Sequence, residues 1–245
     1  MEENSKEELI QYAEFCHARA MQANQFWLTI QQFRAFYRAD AYQKEMDVSP
    51  YFYTVALSAL NNSLVLELAK LYDENTKSIQ LKGLLEKIRK NIALFPEERE
   101  LPIHNMVSIE NEKLYNIAPN ETFCCKIPLC PGNELHKLGK RLNEARHISE
   151  RLRQLRIKIY AHSDNKILEN YEQILRENSL GNHEIETLIA LAFDIADFVL
   201  VRLTGNYIKR EYINSDDLEK TLRFVRYGKE YYENIKIPNL LKNIP

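Results

Sequence analysis

Glycine is scarce in this 245-residue chain, at 6 residues, about a third of the ~7% of ordinary usage. Proline, at 8 residues, is absent from 1–49 and from 132–237. Most of the chain therefore lacks the two residues that interrupt helices. Cysteine is also sparse: Cys16, Cys124, Cys125 and Cys130 are too few for a disulfide scaffold at this length, and free thiols in a reducing compartment are expected. No apolar run reaches the ~20 residues of a bilayer span. The longest, 188–203, contains Asp194, Asp197 and Arg202, so no membrane span is expected. Residues 1–8 are polar and acidic, without the basic and then apolar segments of a secretory signal, and the expected location is cytoplasmic. A net charge of -2 excludes a molecule that is basic overall, so any nucleic-acid surface must be local.

What is present is 45% hydrophobic and 28% charged residues, enough for one principal core and against wholesale disorder. Residues 6–46 place Ile10, Ala13, Ala20, Phe26, Ile30, Phe33 and Tyr37 at helical intervals and predict one long helix. Ser49 and Pro50 supply a start for a second, to about residue 73, with the stripe Tyr53, Leu57, Leu60, Leu64, Leu68 and Leu71. A third is expected over 79–94, weakened slightly by Gly83. Five of the eight prolines then crowd into 96–131, which reads as an irregular insertion.

The clearest period follows, in Leu135, Leu138, Leu142, Ala145, Ile148, Leu152, Leu155 and Ile159, and predicts a fourth long helix. A short helix over 166–177 and a long one over 183–203, closed by Gly205, complete the series, with an amphipathic stretch in the tail. The expected architecture is an all-α bundle of long antiparallel helices. Its expected division is a helical domain at 1–205, carrying the 96–131 insertion, and a C-terminal helical extension at 206–245.

The chemistry-bearing residues lie where the fourth helix ends. His162 is three residues beyond Ile159 and seven beyond Leu155, so it continues the buried stripe. Arg146, Arg153, Arg156 and Tyr160 form a neighbouring stripe. Eight basic residues between 137 and 158 stand against only Glu144 and Glu150, a local positive patch. An imidazole and a guanidinium together suit RNA cleavage by its own 2′-hydroxyl, the first moving a proton and the second stabilising charge on phosphate, with no metal required. Six residues separate Arg156 from His162, about 9 Å of rise and roughly 120° of rotation on a regular helix. One copy converges poorly, whereas two facing copies would build one shared cleft.

The stretch Leu-Arg-Ile-Lys-Ile-Tyr-Ala-His-Ser-Asp (155–164), preceded by Leu-Ala-Lys-Leu-Tyr-Asp (68–73), resembles the HEPN superfamily, whose RX4-6H motif is met by Arg156 and His162. It is similar in particular to the type U abortive-infection branch, associated with bacterial phage defence, over roughly residues 20–205. The resemblance implies an all-α HEPN-like bundle, a metal-independent endoribonuclease without cofactor, Arg156 and His162 as the catalytic pair, a homodimer with the cleft at its interface, RNA as partner and an antitoxin as a possible second. Two departures stand out. Ile157 occupies the place after the arginine where many active members carry a polar residue. Asp164 stands where the branch modified by a partner nucleotidyltransferase has tyrosine.

Around this pair, Arg146, Arg153, Lys158 and Tyr160 are candidate RNA contacts, and Asp164 and Asp73 are auxiliary candidates. Asp164 caps a following helix equally well, and Asp73 suits a polar loop as well as a bond to Arg156. Cys124, Cys125, Cys130, His104 and His136 lack paired Cys-x2-Cys spacing, so no metal site is expected. Tyr207, Lys209, Arg210, Tyr212, Arg223, Arg226, Tyr227, Tyr231 and Tyr232 interleave aromatic and basic side chains in the tail, as a solvated amphipathic helix does. Two other functions fit the pattern: an inactive module of the same fold that binds RNA, nucleotide or protein, which Ile157 favours, and a purely structural dimerisation bundle.

Overall fold

The computed structural model describes residues 2–38, 41–75, 77–95, 98–102, 124–128, 131–157, 171–205, 210 and 216–235. Among the described residues the fold is all-α apart from one short ribbon. The helices are α1 (Glu2–Arg38), α2 (Gln43–Met46), α3 (Pro50–Leu71), α4 (Leu81–Lys90), α5 (Pro131–Glu144), α6 (Arg146–Leu155), α7 (Tyr171–Asn178), α8 (Asn182–Thr204) and α9 (Asp217–Ile235). The ribbon pairs β1 (Glu98–Pro102) with β2 (Cys124–Pro128), antiparallel, with Glu98 opposite Pro128 and Pro102 opposite Cys124.

Contacts divide the chain into two compact units, Met1–Ala23 with Val65–Arg210, and Asn24–Leu64 with Glu211–Pro245. Helices α1 and α3 each lend their halves to different units, and local periodicity carries no information about which cluster a half joins.

In the first unit, α8 is the central helix. Leu188, Ile189, Leu191, Ala192, Phe193, Ile195, Ala196, Phe198, Val199 and Leu200 are all buried, as expected of a helix surrounded by others. Its end is set by Gly205, at φ 81°, a left-handed residue whose N–H bonds the Val201 carbonyl. The first half of α1 contributes Leu9, Ala13, Cys16, Ala20 and Ala23. This stripe differs from the one read off the sequence: Leu9 is buried rather than Ile10, and small side chains dominate it. Burial pushes the Cys16 thiol up to about 12, which makes it an inert packing residue.

The N-terminus of α4 is clamped by Tyr12 of α1. The Tyr12 hydroxyl accepts from the Gln80 N–H at 2.9 Å, and the Gln80 side chain accepts from Gly83 N–H at 2.9 Å. A methyl group on Gly83 would lie 2.7 Å from that hydroxyl, which explains a glycine inside a helix. Helix α4 ends earlier than the sequence suggests, at Lys90, and one 3-10 turn (Ile92–Leu94) follows.

The helix expected over 135–159 is divided. Helix α5 ends at Glu144, Ala145 adopts ψ -3°, and α6 begins at Arg146. The apolar stripe passes through the division, with Leu135, Leu138, Ala145, Ile148, Leu152 and Leu155 buried and Leu142 half-buried, while Ile159 lies outside the described residues. Spacing read the buried face correctly and could not show the break. The first expected helix is likewise two, α1 and α2. Tyr42 departs from helical geometry between them (φ -137°, ψ 19°) and places its ring in the core of the second unit.

That second core gathers Phe33, Tyr42, Met46 and Leu222, with Phe36, Tyr53, Leu57, Leu60 and Leu218 packed against it. Arg226 stacks over the Tyr42 ring at 4.6 Å and bonds Glu45 at 2.7 Å, which fastens α9 to α2. Strands β1 and β2 fall in the segment expected to be irregular. Each strand ends in proline, and Glu98–Pro102 is mostly charged, so neither carries the apolar alternation by which a strand is read.

Candidate functional site

Helix α6 delivers Arg156 to the end of its buried stripe. The Arg156 N–H still bonds the Leu152 and Arg153 carbonyls, and Arg156 and Ile157 open into a π-type turn, a distortion often found at functional positions. Arg156 Nη1 reaches Asp73 Oδ2 at 3.3 Å, joining residues from distant parts of the sequence. Asp73 lies just beyond the C-terminus of α3, where its other oxygen accepts from the Asn75 N–H at 3.2 Å and Asn75 Oδ1 accepts from the Lys77 N–H at 3.0 Å. These successive turns hold the carboxylate by its own backbone. Tyr72 fixes the same corner, donating its hydroxyl to the Leu188 carbonyl of α8 at 2.6 Å.

Nearly two turns back on α6, Glu150 accepts from Arg153 at 2.9 and 2.8 Å and from Gln154 at 2.8 Å. These donors hold the exposed Glu150 carboxyl down to about 2, and Glu150 in turn raises the Arg153 guanidinium. Arg146 pairs with Glu74 at 3.5 Å. A cleft of about 250 Å³ opens beside these pairs, with Asp73, Glu74, Arg89, Asn143, Arg146 and Ser149 in its wall.

Of the residues expected from sequence, the structure brings Arg146, Arg153 and Arg156 beside Asp73 and Glu74, which follow α3. Lys158, Tyr160, His162 and Asp164 lie outside the described residues. The positive patch requires correction. Arg141 bonds Asp194, Arg146 meets Glu74, Arg151 bonds Glu184, Arg153 is held by Glu150, and Arg156 meets Asp73. Most of these carboxylates come from the end of α3 and from α8. A count along α5 and α6 alone therefore overstated the local charge.

Sequence reasoning missed a second polar cluster in the same unit. His17 of α1 and Asp197 of α8 are both buried, with Nε2 and Oδ1 3.5 Å apart. Arg210 binds Asp197 Oδ2 at 2.6 and 3.1 Å and Asp194 Oδ1 at 3.0 Å, and its guanidinium stacks on Phe193 at 4.9 Å. Burial lowers the His17 pKa and Arg210 lowers it further, while Asp197 opposes both. A cleft of about 390 Å³ adjoins Asp194, Asp197, Phe198, Arg202 and Arg210. The available signal was the pair of aspartates inside the apolar run 188–203, because carboxylates on a buried helix require partners.

Among the described residues no three His, Cys, Asp or Glu side chains are grouped to hold a metal ion, and no helix is long and apolar enough to cross a membrane.

The first unit is helical apart from the β1–β2 ribbon, with Arg156 at the end of the buried stripe of α6. A family model, HEPN_AbiU2, described as AbiU2, matches residues 6–225. The chain belongs to this family, the type U abortive-infection branch of the HEPN superfamily. No match was found among curated proteins or among solved structures.

Proposed function

We propose that the chain is a homodimeric, metal-independent endoribonuclease that serves in phage defence or as a toxin. Membership of the family over residues 6–225, with Arg156 and His162 at the motif spacing, is the observation that carries this reading. His162 takes the proton from a ribose 2′-hydroxyl, the 2′-oxygen attacks phosphorus, and the P–O5′ bond breaks, the departing 5′-oxygen taking a proton from water. Arg156 stabilises the crowded negative charge on phosphate. The products are a 2′,3′-cyclic phosphate and a 5′-hydroxyl end. Two chains face each other so that both pairs line one cleft, with RNA contacts from Arg146, Arg153, Lys158 and Tyr160, and an antitoxin restrains the activity in the cell.

The test incubates purified protein with labelled RNA in excess EDTA, beside Arg156→Ala and His162→Ala. Cleavage leaving cyclic phosphate, lost in both variants at unchanged melting temperature, is expected. Equal cleavage by the variants would place the activity elsewhere, and a strictly monomeric chain in light scattering would remove the shared cleft.

A second reading, an inactive module that binds RNA, nucleotide or protein, is favoured by Ile157 and by the carboxylates that neutralise the basic stripe. It predicts binding without cleavage in the same assay.

A further inference from the structure

A guanidinium that must meet a phosphate needs more than charge, because it sits on a flexible stem and its planar fork has to face the ligand. Ile157, directly after Arg156, has no polar side-chain atom to offer and is 39% exposed. The partner comes instead from the turn that follows α3. Asp73 Oδ2 stands 3.3 Å from Arg156 Nη1, and the Asn75 N–H on the other carboxylate oxygen prevents Asp73 from swinging with the arginine.

Stability gives little reason for this carboxylate. The side chains of Arg156 and Asp73 are 35% and 21% exposed, and ion pairs with this access to water contribute about 0–1 kcal/mol. Asp73 also follows the C-terminus of α3, the end at which the helix dipole disfavours an acid. An acid at a helix C-terminus, fixed by an Asx turn and aimed at an arginine in a π-type turn, has the form of a support for that arginine. Among the described residues one carboxylate oxygen engages one of the five guanidinium donors.

We infer that Asp73 is the positioning residue of Arg156, orienting its guanidinium from the turn that follows α3 in place of the side chain at position 157, which is apolar in this chain. The inference rests on the ribonuclease reading above. Asp73 acts through Arg156 and takes no proton from RNA.

The experiment measures single-turnover RNA cleavage in EDTA by the full chain and by Asp73→Asn, Asp73→Ala, Asp73→Glu and the double variant Asp73→Ala/Ile157→Asn, with melting temperatures alongside. Asp73→Asn and Asp73→Ala should lose about 10- to 100-fold in kcat, the range of lost positioning contacts, with KM within about threefold. Asp73→Glu, which keeps the charge, should regain most of the rate, and Ile157→Asn in the Asp73→Ala background should restore it at least in part by supplying a polar group beside the arginine. Full kcat in Asp73→Asn, a loss confined to KM, or faster cleavage without Asp73 overturns the inference while leaving the ribonuclease reading intact. Absence of cleavage by the parent chain removes the ribonuclease reading itself, and the inference with it.

Discussion

His17 Nε2 and Asp197 Oδ1 face each other 3.5 Å apart inside the first unit, both side chains buried, with Arg210 on the far oxygen of the aspartate. Among the described residues neither facing atom has a hydrogen-bond partner. The cluster sets a buried imidazole of α1 against a carboxylate of α8 whose charge is held by Arg210.

This arrangement makes folding stability sensitive to mild acid. Burial lowers the folded pKa of His17, so the unfolded chain binds its proton more readily and stability rises with pH. The His17 contribution is fully present above the unfolded value of about 6.5 and is lost as pH falls below it. Melting temperatures at pH 7.5 and 5.5 should therefore diverge more in the parent than in His17→Gln. Parallel pH profiles for the two would show that His17 does not govern this window.

Removing the cation from the same cluster strands a buried carboxylate. Arg210→Ala should cost about 2 kcal/mol, less than the ~3–5 kcal/mol of a fully buried pair, because its side chain keeps access to water. The added substitution Asp197→Asn should recover part of the loss, since a neutral amide tolerates burial better. Urea unfolding of both variants measures this, and a double variant weaker than the single would refute the electrostatic origin.

Gly83 and Tyr12 should show a reversal of sign. Alanine in place of helical glycine normally gains about 1 kcal/mol, but a methyl at Gly83 would lie 2.7 Å from the Tyr12 hydroxyl. Gly83→Ala should destabilise the parent by displacing that hydroxyl from Gln80, and should stabilise a Tyr12→Phe background. Denaturant midpoints for the four chains complete the cycle. A gain in both backgrounds would mean that the hydroxyl moves aside without penalty.

The paired arginines predict that RNA binding is restrained by the protein's own carboxylates. Glu74→Gln with Glu150→Gln releases Arg146 and Arg153 from their partners. Affinity for single-stranded RNA should rise, and its logarithmic dependence on salt should steepen by about 1, as expected when one to two further cations reach phosphate. Unchanged affinity and slope would place the RNA path away from α6.

The sequence by itself determined the elements whose cause is local. Pro50 opens α3 and Gly205 closes α8 because each restricts or permits backbone geometry at its own position, and the stripe from Leu135 to Leu155 is legible because helical period is a property of neighbours along one chain. Arg156 was identifiable with His162 through the spacing it shares with the HEPN motif, and Asp73 as a polar residue directly after the second expected helix. Tertiary structure alone decided that Arg156 meets Asp73, that Glu74 and Glu150 restrain the basic stripe, and that His17 is buried against Asp197 and Arg210. It also decided that the halves of α1 belong to different compact units. Charge compensation and burial depend on distance through space, and residues far apart along the chain leave no periodic trace of that distance.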